Sequence, residues 1–371
     1  MISLFVTCFI VSCLAGFVLI RRARGHAARY GEAMPQRFHV GDVPRLGGVA
    51  VLLGAGLGWM RMAAVPWLGD VGNTHYGTGG GIASWQWLVM AVPAAFGGFY
   101  EDLTQRLGAK WRLLLTGLSG LLAVALMGVV VSRLGIPVLD AALAAMPWVG
   151  LGLAILAVTG LPHAINIIDG YNGLAGTVAL IVCLALVHVS LQVGDRHLAG
   201  VLICLSGGTA GFLVWNYPSG RIFAGDGGAY LWGVVIAAAS LRLVQQHAAV
   251  SPWFPMLLLV YPVWETLFSI YRKSVRGVSP GTPDALHFHQ LIYRRIVRQV
   301  FEHDDPSRQV LARNNRTSPY LWAFTLMTAV PALMFWSNTP ALIGFCVLFI
   351  VTYVVAYLMI VRFKLPRWIR R

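Results

Sequence analysis

Apolar runs of about 20 residues recur along this 371-residue chain, and each is as long as a helix must be to cross the hydrocarbon core of a bilayer. They predict helices over 2–20, 46–68, 84–99, 113–132, 147–165, 173–193, 198–216, 227–247, 253–271, 319–337 and 340–361. That makes about 11 crossings. Barrel strands are shorter and alternate in polarity, so runs of this length exclude a transmembrane β-barrel. The expected fold is an all-α integral membrane protein, a single polytopic bundle over residues 1–371. No internal repeat is evident, which argues against an inverted-repeat transporter.

The polar intervals set the expected orientation. The first run lacks a basic leader and is followed by Arg21, Arg22, Arg24 and Arg29. It therefore reads as a helix with its amino end outside rather than as a signal peptide. Threading from there puts 21–45, 100–112, 166–172, 217–226, 272–318 and the tail from Arg362 inside, so the carboxyl end is cytoplasmic. These segments hold about 24 of the 28 Lys and Arg residues, the asymmetry of positive-inside topology. The outer loops keep little beyond Arg133 and Arg196. Trp67, Trp85, Trp87, Trp148 and Trp253 fall near the outer ends, where an aromatic belt belongs. The one sizeable extramembrane piece, 272–318, is a cytoplasmic, His-bearing loop.

Composition agrees. The chain is 57% hydrophobic and 11% charged, with a mean hydropathy of +0.70, whereas soluble domains carry about a quarter charged residues. The net charge of +14 is placed for anchoring to anionic headgroups rather than for nucleic acid. Cys8, Cys13, Cys183, Cys204 and Cys346 all lie in apolar runs without metal or redox spacing, and imply no disulfide.

Four polar clusters interrupt the apolar pattern, and the threading opens all four onto the inner face. They are Glu101-Asp102, the stretch Asn166 to Gly173 with Asp169 and Asn172, the stretch Phe223 to Gly228 with Asp226, and His287-Phe288-His289. Charge at membrane depth is costly and marks function. Four acids converging without a lysine among them repel unless a divalent cation is present, and hard oxygen ligands favour Mg²⁺ or Mn²⁺ over zinc. Asp226 lies in a Gly-rich turn that leads into a helix, a place where backbone N–H groups approach phosphate. Asn166, Asp169 and Asn172 share a face if helical, or line a turn. Asn216 ends another inner helix and either caps it or binds ligand. His287 and His289 would oppose each other on a helix but share a face if extended. Arg37 and Arg45 stand in a basic inner segment (Pro35 to His39, Pro44 to Gly48) suited to lipid headgroups or substrate phosphate. Glu265 is expected to hydrogen-bond inside the bundle. His163, His188 and His247 read as packed residues, and the sequon Asn315-Arg316-Thr317 lies on the inner side without a role.

In order along residues 35–300, these motifs run Pro-Arg-x-Gly-Gly, an acidic pair, Asn-x-x-Asp-Gly-x-x-Gly-Leu-Ala, Phe-x-Gly-Asp and His-x-His. The series resembles the polyprenyl-phosphate N-acetylhexosamine-1-phosphate transferases, the membrane enzymes that begin bacterial lipid-linked polysaccharide intermediates. The resemblance implies an enzyme in which a phosphate oxygen of undecaprenyl phosphate attacks the β-phosphorus of a UDP-N-acetylamino sugar and UMP leaves. It implies Asp226 as a metal ligand, with Phe223 stacking on uracil. Asn216, Asp169 and Asn172 fall at nucleotide-site positions, and His287 and His289 lie near the pyrophosphate. Catalysis is then expected from Asp102, Glu101, Asp169, His287 and His289, and substrate binding from Asn166, Asn172, Asn216, Phe223, Arg45 and Arg37.

One departure is Glu101, where the family usually carries Asp, so Asp102 is expected to be the more critical of the pair. The His-Phe-His-Gln form lacks the His-His-His run common in phospho-N-acetylmuramoyl-pentapeptide translocases, which favours the branch using simple amino sugars. The implied setting is the bacterial inner membrane, with the site on the cytoplasmic face, in O-antigen or similar synthesis, and with homodimerisation left open. The competing readings are the pentapeptide transferase itself, a transporter or flippase using the same acids as an ion path, and a membrane scaffold.

Overall fold

The computed structural model describes residues 1–23, 43–64, 83–279, 286–297 and 305–362, so Arg37 and Trp67 lie outside the described residues. Helix α1 spans Ile2–Arg22, α2 Gly47–Ala64, α3 Ser84–Thr104, α4 Ala109–Met127 and α5 Pro137–Ala145. Then come α6 over Pro147–Ile168, α7 over Leu174–Gln192, α8 over Arg196–Asn216 and α9 over Gly225–Gln246. The last group is α10 (Trp253–Leu258), α11 (Val260–Val275), α12 (Phe288–Leu291), a π-helical turn (Ile292–Ile296), α13 (Pro306–Met334) and α14 (Thr339–Val361). Among the described residues there is no strand.

Eight of these, α1, α2, α4, α6, α7, α8, α9 and α14, are long and apolar enough to cross a membrane. Three expected spans differ in form. In α3 the polar ends (Gln86, Glu101, Asp102) dilute an apolar middle. The 253–271 run is broken at Leu259 into α10 and α11. The 319–337 run is the second half of a helix whose first half is polar. The interval after α4 holds a further short helix, α5, started by Pro137.

The core is organised around α9. Every residue from Gly227 to Ser240 is buried, and α2, α3, α6 and α7 all pack against it. A helix apolar on all sides belongs at the centre of a bundle. Close approach near its amino end depends on glycine: a Cβ at Gly98 of α3 would lie 2.4 Å from Gly227, and one at Gly48 of α2 would lie 2.2 Å from Gly228. Small residues at such crossings let backbones touch where lipid supplies no hydrophobic drive. Indole N–H groups fasten the periphery, with Trp59 donating to the Val201 carbonyl at 3.0 Å and Trp215 to the Cys13 carbonyl at 2.8 Å. Trp85 and Trp148 are exposed as a belt requires, but Trp87 is fully buried in the core.

Alternate connections collect at opposite ends of the bundle. At one end Arg133, one of the few basic residues of the expected outer side, closes the carboxyl end of α9. Its Nη2 donates to the carbonyls of Val244, His247 and Val250 at 3.1, 3.0 and 2.6 Å. A cation there also complements the helix dipole. His247 in turn pairs with Asp195 (3.3 Å), whose other oxygen caps α8 through the Leu198 N–H. Ser251 N–H donates to the Trp336 carbonyl, bringing the turn before α14 to the same end.

Replacing Arg133 with Ala strips a charged donor from three helix-end carbonyls. The expected loss is about 1.5–3 kcal/mol, read as a lower thermal midpoint of the detergent-solubilised protein. An unchanged midpoint would mean that water replaces the guanidinium without cost.

Candidate active site

The opposite end of α9 gathers the motif residues. Its N-cap residue, Ala224, has no side chain to offer the first-turn amides, and α3 supplies one from 124 positions away. Asp102 Oδ1 accepts the Asp226 N–H and Oδ2 the Gly227 N–H, both at 2.9 Å. Asp102 is buried and its two oxygens bracket the helix start. Gly225, at φ +71°, makes the turn; a Cβ there would be strained and would meet the Arg45 carbonyl and Asp102 Oδ2, each at 2.4 Å. The extended run beside it is pinned by Phe223 N–H to the Pro44 carbonyl and by Gly47 and Gly48 N–H to the carbonyls of Phe223 and Ala224. This puts the basic segment with Arg45 and the half-buried Phe223 ring at the same helix terminus.

Asp226, in the first turn of α9, is the hub. Arg112 Nη1 donates to Oδ2 at 2.9 Å, Asn166 Nδ2 to Oδ1 at 3.2 Å, and Tyr230 Oη to Oδ2 at 3.3 Å. Side chains of α4, α6 and α9 therefore meet at one carboxylate that keeps partial exposure: 19% for its side chain, against 28% for Arg112. Asp169, at the carboxyl end of α6, is close enough to feel that charge. Burial first, and the Asp226 charge second, push its carboxyl up to about 7, while Arg45 opposes the shift.

Glu101 faces elsewhere. Its Oε2 accepts the Leu107 N–H at 2.7 Å and so ties down the short turn between α3 and α4. The acidic pair thus divides as its helical offset requires, one residue inward and one toward the turn.

The two histidines lie together. His287 is the extended N-cap of α12, so the step into the helix places both rings on one side. They stack at 5.4 Å with an interplanar angle of 2°. His287 Nδ1 sits 3.0 Å from Oε1 of Glu265. His289 lies against the Asp169 turn, where a Cβ at Gly170 would be 3.1 Å from its Nε2, with the Tyr171 ring edge-on at 5.6 Å. The expected loop over 272–318 therefore carries buried helical pieces: Phe288 to Leu291 are inside the bundle, and α13 begins at Pro306.

Two expected ligand residues turn out to be clasps. Asn216 accepts the Gly173 N–H at 2.6 Å and donates to the Ile222 carbonyl at 2.7 Å. Asn172 donates its amide Nδ2 to Asn315 Oδ1 (2.9 Å) and its backbone N–H to Asn314 Oδ1 (2.8 Å), and its carbonyl accepts from Ser318. Both hold the 171–173 turn in place, and Asn315, to which the sequence assigned no role, takes part. His163 is a packed residue as expected, bonded to Thr116 and edge-on to Tyr230.

Among the described residues no three His, Cys, Asp or Glu side chains form a ready metal cage. Mg²⁺ is ordinarily held by one or two carboxylates together with substrate phosphates. Asp226 with Asp169 beside it is a hard-oxygen set of that kind, and Asp102 is already committed to amides.

The profile of glycosyl transferase family 4 matches residues 84–244, from the start of α3 almost to the end of α9. The chain is 29% identical over 311 residues to the decaprenyl-phosphate N-acetylglucosaminephosphotransferase of Mycolicibacterium smegmatis, covering 74% of this chain and 73% of that one. It is 31% identical over 259 residues to the phospho-N-acetylmuramoyl-pentapeptide-transferase of Desulforudis audaxviator, covering 63% of this chain and 73% of the relative. A third relative, the undecaprenyl-phosphate alpha-N-acetylglucosaminyl 1-phosphate transferase of Thermotoga maritima, is 31% identical over 137 residues, or 37% of this chain and 41% of its own.

The chain belongs to glycosyl transferase family 4.

In this family 4 enzyme, sequence reading missed Arg112 and Tyr230. Arg112 looked like one of many inner-face cations, and its pairing spans 114 positions. The signal available was that it falls one turn into α4, close behind the acidic pair.

Removing the Asp102 carboxylate with Asp102→Ala leaves two buried amides without acceptors and is expected to cost about 1–2 kcal/mol, as for a lost helix cap. Glu101→Ala frees one amide in a partly open turn and should stay within about 0.5 kcal/mol. Thermal midpoints of the two variants in one detergent decide the order, and equal losses would overturn the division of the pair.

Proposed function

We propose that this enzyme transfers an N-acetylamino-sugar 1-phosphate from a UDP-sugar to undecaprenyl phosphate. The transfer would release UMP and form the first lipid-linked intermediate of a cell-surface polysaccharide such as O-antigen. The observation that carries the reading is the Asp226 hub. A partly open carboxylate at a helix N-terminus, with a guanidinium, an amide and a second carboxylate around it, suits a pyrophosphate and its counter-cation. The activities for which the relatives are named support the same transfer.

In this reading a phosphate oxygen of the lipid forms the new bond to the β-phosphorus, and the bond from that phosphorus to the α-phosphate oxygen breaks, releasing UMP. A lipid phosphate is already largely ionised near neutral pH, so no strong base is needed. Arg112 and Arg45 neutralise charge on the transferring group, and the His287–His289 pair lies beside the pyrophosphate. Phe223 offers its ring to the base, while Asn166 keeps Asp226 oriented. Asp226 and Asp169 would hold Mg²⁺ or Mn²⁺, whose contribution is to offset charge on the phosphates. Asn172 and Asn216 act by fixing the turn that carries Asp169. The carboxylates collect at one end of the bundle rather than mid-helix, which favours a transferase over an ion path.

The deciding assay offers purified protein, undecaprenyl phosphate and a panel of UDP-sugars, and scores UMP. A simple UDP-N-acetylamino sugar should be turned over. Turnover of UDP-N-acetylmuramoyl-pentapeptide alone would assign the chain to the other branch, and no UMP from any donor would overturn the reading. In the same assay Asp226→Asn, or excess chelator with wild type, should abolish turnover, and added Mg²⁺ should restore only the chelated wild type. Asp102→Asn is expected to cost at least two orders of magnitude, about 2.7 kcal/mol. Glu101→Asp should stay within tenfold, about 1.4 kcal/mol.

The reading includes about 11 crossings, the amino end outside, and the site on the cytoplasmic face of the bacterial inner membrane. A cysteine at Arg106 or Arg276, tested in intact cells with an impermeant thiol reagent, should be protected, and one at Gln192 should be labelled. The reverse pattern would invert the topology.

A further inference from the structure

The geometry points to Glu265 as a positioning residue for the histidine pair, acting through His287 on the proposed phosphoryl transfer, and this inference rests on that proposed reaction. Glu265 is fully buried on α11, where a carboxylate persists only if its oxygens are satisfied. Three donors do so. His287 Nδ1 lies 3.0 Å from Oε1, the Phe288 N–H donates to the same oxygen at 3.2 Å, and Tyr353 Oη of α14 donates to Oε2 at 2.7 Å. The arrangement exceeds what burial alone requires, because two of the three bonds converge on the histidine segment.

A carboxylate accepts and does not donate. Nδ1 of His287 must therefore carry the proton, which leaves Nε2 as the nitrogen turned away from Glu265. One carboxylate thereby selects the imidazole tautomer and, through the Phe288 amide, the backbone angle at which the ring leaves the chain. The stacking at 5.4 Å and 2° carries that orientation to His289, which lies over Gly170, next to Asp169. Loss of the charge would let His287 revert to the Nε2–H form ordinarily preferred in water and release the ring plane. Tyr353 completes the set by holding the second oxygen, so α14, outside every motif of the chain, becomes part of the support.

Steady-state UMP release from wild type, Glu265→Gln, His287→Gln and the double variant tests this. Each single change is expected to lower kcat at least tenfold while KM for the UDP-sugar stays within about threefold, and the double variant should be no slower than His287→Gln alone. Multiplying losses in the double variant would overturn the inference, since Glu265 would then act independently of His287. Should Glu265→Gln fail to insert, Tyr353→Phe keeps the carboxylate and removes one bond. Its smaller kcat loss should likewise vanish in the His287→Gln background, and persistence of that loss would count against the inference.

A second readout does not depend on turnover. In ¹⁵N-histidine-labelled wild type, the His287 resonances, assigned by their loss in His287→Gln, should report a proton on Nδ1, and Glu265→Gln or Tyr353→Phe should shift the population toward Nε2–H. An Nε2–H tautomer in wild type would sink the inference even if turnover is normal. A wild type that yields no UMP but carries the Nδ1 proton would instead refute the proposed reaction and leave the Glu265–His287 geometry standing.

Discussion

A helix buried on every side cannot satisfy its own ends, and α9 is such a helix. Its first amides have no partner within the helix, and its N-cap residue is alanine. Asp102 is therefore required at one end and Arg133 at the other, each from a different element. The two charges align with the helix dipole. They also fix the depth at which α3 and the segment after α4 pack. The amide end that Asp102 brackets lies at the end of the bundle where the motif residues gather.

The three carboxylates at this terminus are chemically alike and end up doing different work because of their partners. Asp102 accepts a backbone amide on each oxygen and so holds the start of α9. Asp226 is held by three side-chain donors from three helices, any of which can exchange for a ligand with less disturbance than a backbone amide. Burial and a neighbouring charge raise the pKa of Asp169 to about 7. A cation at the hub would draw it into the charged form. Glu101 differs again: it holds the Leu107 amide, a bond that its longer side chain reaches.

Much of the architecture was legible because lipid imposes a simple rule on sequence. Apolar length located most of the helices within a few residues, though not the start of α13 or the break within 253–271, and the alternation of connections brought all four polar clusters to one end. The features that escaped have a common cause in long-range side-chain pairing. The Arg112–Asp226 and Asn172–Asn315 bonds join residues more than 110 positions apart, and no local pattern encodes them. Asn172 and Asn216 are amides at a membrane boundary, which signals recognition; in the fold both also hold the turn beyond Asp169. The histidines seemed to need a choice between strand and helix. The structure uses both, one residue at the extended cap and the other inside the first turn.

The break between α10 and α11 belongs to the same logic. A continuous helix over 253–271 would satisfy its backbone unaided; the chain instead interrupts itself at Leu259 and starts again at Val260. The second segment, α11, carries a carboxylate that no lysine or arginine side chain bonds directly among the described residues. Its partners are an imidazole, an amide and a phenol, drawn from the segment entering α12 and from α14. A buried carboxylate costs more than an apolar residue of the same size would. Stability alone does not account for it, and the proposed hold on the His287 ring would.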